Sequence, residues 1–285
     1  MRELLKIVVK SVFRFSGFQV LKKDTYDRIT MHPLFDVVYR WSNSGANPEL
    51  INFIFSNIHK SKSQLQQDLF ALYISSVYPK SRIVSQEFVT PTVRGYFVEF
   101  GAANGISHSN TYLLETEFKW NGILCEPART WHSELTANRS CTIDHRCVYS
   151  KSGINLVFKE TIDAELSTIS EFSKMDNHAN ERNNGKEYSV ITVSLEELLR
   201  NNKAPKQIDL LSIDTEGSEF EILGAFDFSQ WEIQFLAVEH NFSPQRELIH
   251  DLLVKNGFRR VLSKVSAWDD WYISSEIAAN EAFPD

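Results

Sequence analysis

The stretch Tyr-Phe-Val-Glu-Phe-Gly-Ala-Ala-Asn-Gly at 96–105 constrains this chain more than any other. Its first five residues are apolar but for Glu99. They predict a strand buried on both faces that runs straight into a turn with glycines at 101 and 105. A helix is expected beyond it, over 109–118. A helix start offers free N–H groups. Placed at the carboxyl end of a parallel strand, such a turn is where nucleotide-type ligands bind in α/β folds. A buried carboxylate needs hydrogen-bond donors. Glu99 is therefore expected to meet backbone amides or a polar ligand lying over the glycines.

From 96 onward, strands and helices alternate. Strands are expected at 96–100, 122–126, 208–214 and 235–239, and helices at 109–118, 130–138, 194–200 and 244–256. The third strand has two candidates, 146–149 and 155–159. This alternation predicts a mainly parallel sheet with helices on both faces. The last two strands, 258–265 and 271–274, have no helix between them, which predicts a hairpin and an antiparallel edge. Upstream, 48–58 and 63–77 read as helices. A boundary near 59–63 then divides an N-terminal helical appendage, 1–62, from a main domain, 63–285. Residues 173–188 are polar throughout and too long for an ordinary connection, so they form either a lid or a disordered insertion.

Two further groups of acids are expected at the same sheet end. Glu126 closes the second strand, 21 residues after Gly105. A carboxylate there accepts hydrogen bonds from ribose hydroxyls. The run Ile-Asp-Leu-Leu-Ser-Ile-Asp-Thr-Glu-Gly-Ser-Glu at 208–219 brings Asp214, Glu216 and Glu219 off one strand end. Val-Glu-His at 238–240 ends the next. Carboxylates and an imidazole gathered in one crevice suit a general base or a divalent metal. The plainer alternatives are a helix-dipole role for Glu219 and a structural hydrogen bond for His240.

Composition narrows the partners. The 285 residues carry a formal net charge of -7, with a pI near 5.7. That excludes a general nucleic-acid binder, which needs a basic footprint. Cys125, Cys141 and Cys147 are too few and scattered for a disulfide framework, and reduced thiols in a cytosolic setting are the simplest reading. No uncharged apolar run approaches the roughly 20 residues that span a bilayer, and no secretory signal is expected. Residues 2–15 read as a basic amphipathic helix, with Leu4, Val8, Val12 and Phe15 on one face and Lys6, Lys10 and Arg14 in another row. Such a helix either packs on the body of the protein or lies on an anionic membrane surface.

Together these segments resemble one family. Phe-Val-Glu-Phe-Gly-Ala-Ala-Asn-Gly, Ser-Asn-Thr-Tyr-Leu-Leu-Glu at 109–115, Gly-Ile-Leu-Cys-Glu-Pro at 122–127 and Ser-Ile-Asp-Thr-Glu-Gly-Ser-Glu-Phe at 212–220 resemble the FkbM-type methyltransferases. Gln67-Asp68 and Asp269-Asp270-Trp271-Tyr272 extend the likeness over roughly 63–275. The resemblance implies a Rossmann-like class I methyltransferase with a seven-stranded, mostly parallel sheet. It implies S-adenosylmethionine as cofactor. Glu99, Gly101 and Gly105 would shape the pocket for its methionine end, Asn110 and Thr111 would bind its carboxylate, and Glu126 would hold its ribose. Asp214 and Glu216 would face the sulfonium and the acceptor.

The activity so implied is methyl transfer to an oxygen, with a glycan or glycoconjugate precursor as acceptor. An aliphatic hydroxyl is a poor nucleophile and needs a base or a metal. The base candidates are Asp214, Glu216 and His240, in that order. The candidate ligands for a divalent metal such as magnesium are Asp214, Glu239 and His240. The enzyme is expected in the cytoplasm, with residues 2–15 offering contact with the inner face of a membrane. Two other functions fit the same sheet: a nicotinamide-dependent oxidoreductase, and a non-catalytic binding module.

Overall fold

The computed structural model of the protein describes residues 33–78, 94–174, 178–279 and 283–285. The expected helix over 2–15 lies outside them. Among the described residues, three helices come first: α1 (Pro33–Ser42), α2 (Pro48–Asn57) and α3 (Gln67–Val77). The Asn47 side chain caps α2 by accepting from the Leu50 N–H, and Pro48 sits at the first helical position, where no N–H is needed. Trp41 donates its indole N–H to Gln66 at 3.1 Å, tying α1 to the start of α3.

Strands β1 (Tyr96–Phe100), β2 (Asn121–Cys125) and β3 (Thr142–Asp144) follow, with α4 (Tyr112–Thr116) and α5 (His132–Asn138) between them. The chain then leaves the main sheet for a smaller one built from β4 (Cys147–Tyr149), β5 (Asn155–Glu160), β6 (Thr168–Ile169) and β7 (Lys186–Ser194). It returns through α6 (Leu195–Asn201), β8 (Gln207–Ile213), α7 (Glu219–Gly224), β9 (Glu232–Glu239), α8 (Arg246–Lys255), β10 (Phe258–Val261), α9 (Ser263–Ser266), β11 (Asp269–Ser274) and α10 (Ser275–Ala278).

The large sheet has seven strands in the order β10-β11-β9-β8-β1-β2-β3. Pairings are parallel from β9 to β3, and β11 runs antiparallel between β9 and β10. Alternation along each strand feeds two cores. Phe97, Leu124, Leu210, Phe235 and Trp271 face α1–α3, and their neighbours Val98, Ile123, Leu211, Leu236 and Tyr272 face the other side. Phe70 of α3 stacks on Trp271 at 5.1 Å, and Trp41 of α1 meets the same ring at 6.2 Å. The helices of 33–57 therefore share one core with α3 and the sheet, and the expected boundary at 62–63 falls in the loop between α2 and α3.

Two sequence expectations change. The third strand is neither 146–149 nor 155–159 but Thr142–Asp144, three residues paired with β2 from Ile123↔Thr142 to Cys125↔Asp144. It is short and largely polar, so it carries no periodic signal. The two apolar candidates instead build the small sheet, where β7 pairs with both β4 and β5. The polar stretch 173–188 is ordered where described. It holds a 3-10 turn over Glu181–Asn184, with Arg182 buried, and then enters β7. No described helix is long and apolar enough to cross a membrane.

Candidate active site

The parallel strands β1, β2, β8 and β9 all end on one side of the sheet, and a cavity of about 490 Å³ opens there. Glu99, Gly101, Asn110, Glu126, Asp214, Glu216 and Glu239 line it. Gly105, Thr111 and His240, also expected at the site, do not.

The first turn is held from within. The buried Glu99 carboxylate accepts from Ser109 Oγ at 3.0 Å, from the Asn110 N–H at 2.6 Å and from Thr111 Oγ1. Its partners are thus the backbone and hydroxyls of the helix-α4 entry. Arg139, buried behind the loop, donates to the Gly105 carbonyl at 3.0 Å, to Ser109 Oγ at 3.1 Å and to Thr111 Oγ1 at 2.9 Å. Gly105 has φ +82, and a Cβ there would meet the Leu135 and Arg139 side chains at 2.7 Å. Gly105 and Thr111 therefore fasten the loop from behind. Gly101 has φ +74, and its Cβ would stand 2.0 Å from the Asp214 carbonyl oxygen. Only glycine lets the turns after β1 and β8 approach so closely.

Glu126 sits at the end of β2 with its carboxylate buried. One oxygen accepts from the Ala103 N–H at 2.8 Å and the other from the Ala128 N–H at 2.7 Å. Burial raises its pKa to about 7, against the pull of the two amides. Asn110 bridges two elements, donating to Ser212 Oγ of β8 at 2.9 Å and accepting from Ser63 Oγ at 2.6 Å.

Beyond Gly101 lies a pair of carboxyls. Asp214 and Glu239, at the ends of adjacent strands β8 and β9, share a hydrogen bond, so one of them carries a proton. Burial pushes Asp214 up to about 6 and Glu239 further. The two carboxyls therefore hold a proton between them and titrate as a pair. Asp269 at the start of β11 lines the same cavity and is pushed up to about 7 by burial. It accepts from Gln67 Nε2 at 2.7 Å. Gln67 and Asp269 belong to the two end motifs of the family resemblance, 202 residues apart in sequence, and the fold joins them.

Glu216 is not a free carboxylate. Arg182 Nη2 approaches it at 2.7 Å and Asn241 Nδ2 at 3.2 Å. Arg182 arrives from the polar insertion, which carries no pattern that marks it. Thr168 of β6 adds a bond to the Glu216 carbonyl at 2.7 Å, so the small sheet clamps this turn. Glu219 accepts from the Thr215 and Gly217 N–H groups at 2.9 and 3.1 Å and closes the turn that leads into α7. His240 is turned away from the cavity. Its Nδ1 accepts from the Phe242 N–H at 2.9 Å, and its Nε2 lies 3.8 Å from Asp270 Oδ1. Burial lowers its pKa, so the ring is neutral at pH 7. The carboxylates whose oxygens gather within 4.8 Å of one another are Asp214, Glu216 and Glu239, so Glu216 takes the place His240 was expected to hold.

A seven-stranded sheet in this order, with its antiparallel strand, its glycine turn after β1 and an acid ending β2, defines a class I methyltransferase architecture. The family model for the Methyltransferase FkbM domain matches residues 99–265. That is more than half of the chain, and the chain belongs to the FkbM methyltransferase family. Among solved structures, the crystal structure of Methyltransferase FkbM from Methylobacillus flagellatus KT is similar at 11% identity with a TM-score of 0.40. The similarity covers 84% of this chain and 58% of that one. No curated protein matches the chain.

Proposed function

We propose that this FkbM-family member transfers a methyl group from S-adenosylmethionine to a hydroxyl oxygen of a glycan or glycoconjugate precursor. The observation that carries the reading is the Asp214–Glu239 carboxyl pair, set in the same cavity as Glu126 and the Gly101 turn. The residues present suit the cofactor. Each Glu126 oxygen accepts one amide and keeps a lone pair for a ribose hydroxyl. Gly101 lines the same cavity with backbone alone. The carboxyl-rich lining suits a sulfonium cation. The cofactor supplies an electrophilic methyl group; every other part of the task falls to the chain.

Asp214, hydrogen-bonded to Glu239, accepts the proton of the incoming hydroxyl as the oxygen becomes a nucleophile. Glu239 holds Asp214 in place by the hydrogen bond they share. Holding donor and acceptor in line supplies much of the remaining rate. A divalent metal fits the same residues poorly. Of its three candidate carboxylates, Glu216 is already paired with Arg182. The family likeness supports a glycan acceptor. Residues 2–15, as a basic amphipathic segment, would bring the enzyme to lipid-linked acceptors at the cytoplasmic face of a membrane. Unchanged membrane partition after deletion of 1–17 would remove that part.

The test is methyl transfer itself. The protein is incubated with isotope-labelled S-adenosylmethionine and the glycan and glycolipid extract of the source cells. The reading expects label in base-stable methyl ethers, with no gain from added magnesium. Label only in base-labile esters or on nitrogen would overturn it.

A further inference from the structure

At the far end of the cavity from Glu126, two aromatic side chains stand in the open. Phe242 is 64% exposed and Trp268 is 36% exposed, and both line the cavity. Single exposed apolar residues are ordinary, but these two are held by strained backbone. Asn241 and Phe242 lie at φ +40 and +55, and Ala267, just before Trp268, at φ +53. None is glycine, and such conformations persist only where the surroundings enforce them. The enforcement is visible. The Trp268 carbonyl accepts from the N–H groups of His240 at 2.9 Å and Asn241 at 3.3 Å, which joins the two loops. The buried His240 ring accepts from the Phe242 N–H and fixes that residue's backbone. This gives the imidazole, absent from the cavity, a reason to sit where it does.

Sheet order says which ligand this rim serves. Glu126 ends β2, Asp214 ends β8, Asn241 follows β9 and Asp269 opens β11. Adjacent strands lie about 4.8 Å apart, so the rim stands roughly 14–19 Å from the Glu126 end, with the carboxyl pair between. A nucleoside held at Glu126 leaves the rim to the second substrate. The lining also restricts charge. Glu99, Glu126, Asp214, Glu216, Glu239 and Asp269 face the cavity, and among the described residues no lysine or arginine lines it. A phosphate or carboxylate on the reacting part of the acceptor would meet acids and no lysine or arginine among these described lining residues.

We propose that Phe242 and Trp268 form the acceptor platform of this site, and that the ring they receive is uncharged and hydroxyl-bearing. The apolar face of such a ring lies on the aromatics, and its hydroxyl edge points toward Asp214. This inference rests on the methyl-transfer reading, because only a second substrate needs a platform beyond the cofactor.

The full chain, saturated with S-adenosylhomocysteine as verified by calorimetry, is presented with millimolar methyl β-D-glucopyranoside or methyl β-D-glucuronide. Saturation-transfer NMR then reads binding. The neutral glycoside is expected to show enhanced ring C–H signals, and the uronate none. Phe242→Ala and Trp268→Ala are each expected to cut the neutral signal about tenfold, with S-adenosylhomocysteine affinity and thermal midpoint unchanged. Phe242→Tyr is expected to retain the signal. The platform is overturned if the uronate saturates as strongly, if both alanine variants keep the signal, or if the neutral glycoside fails to bind the loaded protein. A protein that takes up no S-adenosylhomocysteine would instead fail the methyl-transfer reading, and the platform with it.

Discussion

At the scale of single residues, the site divides into carboxyls that hold and one that is proposed to react. Glu99 and Glu219 are saturated by donors from their own turns, and Glu216 by a guanidinium. Asp214 differs, because its hydrogen-bond partner is another carboxyl. The Asp214→Asn variant keeps the shape and removes the base. It should lower kcat/KM by a factor of about a hundred or more. Binding of S-adenosylhomocysteine, which lacks the sulfonium charge, should hardly change. In the wild type, kcat/KM should fall as pH drops through about 6, where Asp214 takes up a proton. Full turnover in the asparagine variant, or a flat acid limb, would take the proton-accepting role from Asp214.

At the scale of elements, the small sheet and its insertion matter as much as the glycine turn. Arg182 is buried and reaches both the Leu166 carbonyl and the Glu216 carboxylate, stitching the insertion to the turn after β8. Arg182→Ala leaves Glu216 in a buried place without its cation. Breaking such a pair costs about 3–5 kcal/mol, and urea unfolding should show a loss of that order. Adding Glu216→Gln should recover part of it. Hydrogen exchange should rise over 164–194 before it rises in β1 or β8. An unchanged unfolding midpoint would mean that the pair does not hold the insertion. These two elements also show what the sequence hides. The strands β1, β8 and β9 were legible because each is an apolar run, β1 leading into the glycine turn and β8 and β9 into acids at the sheet's ligand side. β3 was not, because three half-polar residues carry no period. Arg182 was invisible, because its worth comes from a partner 34 residues away and not from its neighbours. Gln67 and Asp269 were legible only as motifs; their meeting at 2.7 Å is a fact of topology.

At the scale of the molecule, buried carboxyls set how stability depends on pH. Asp68, Glu126 and Asp269 are each pushed up to about 7 by burial, from ordinary values of 3.8, 4.5 and 3.8. Between about pH 4 and 7 the folded state therefore holds protons that the unfolded chain has released. Stability contributed this way is full below the unfolded values and is lost as pH rises through 7. His132 and His240, lowered by burial, act in the opposite sense near pH 6, but they are fewer. Glu115 and Asp144 are held below their ordinary values, so their contribution fades only in stronger acid. The thermal midpoint of the ligand-free protein should thus drop by on the order of 5 °C between pH 5 and pH 8. A rise over that interval would show that these carboxyls ionise in the fold as readily as in water.

The central claim, that the cavity at the ends of β1, β2 and β8 is built for S-adenosylmethionine, is tested most directly by titrating S-adenosylhomocysteine into the wild type and into Glu126→Gln by calorimetry. The amide can still accept at one atom but presents an NH₂ where the second backbone N–H and a ribose hydroxyl would donate. The account predicts one site per chain in the wild type and about ten- to a hundredfold weaker binding in the variant. No heat in the wild type, or equal affinity in the two proteins, would contradict it.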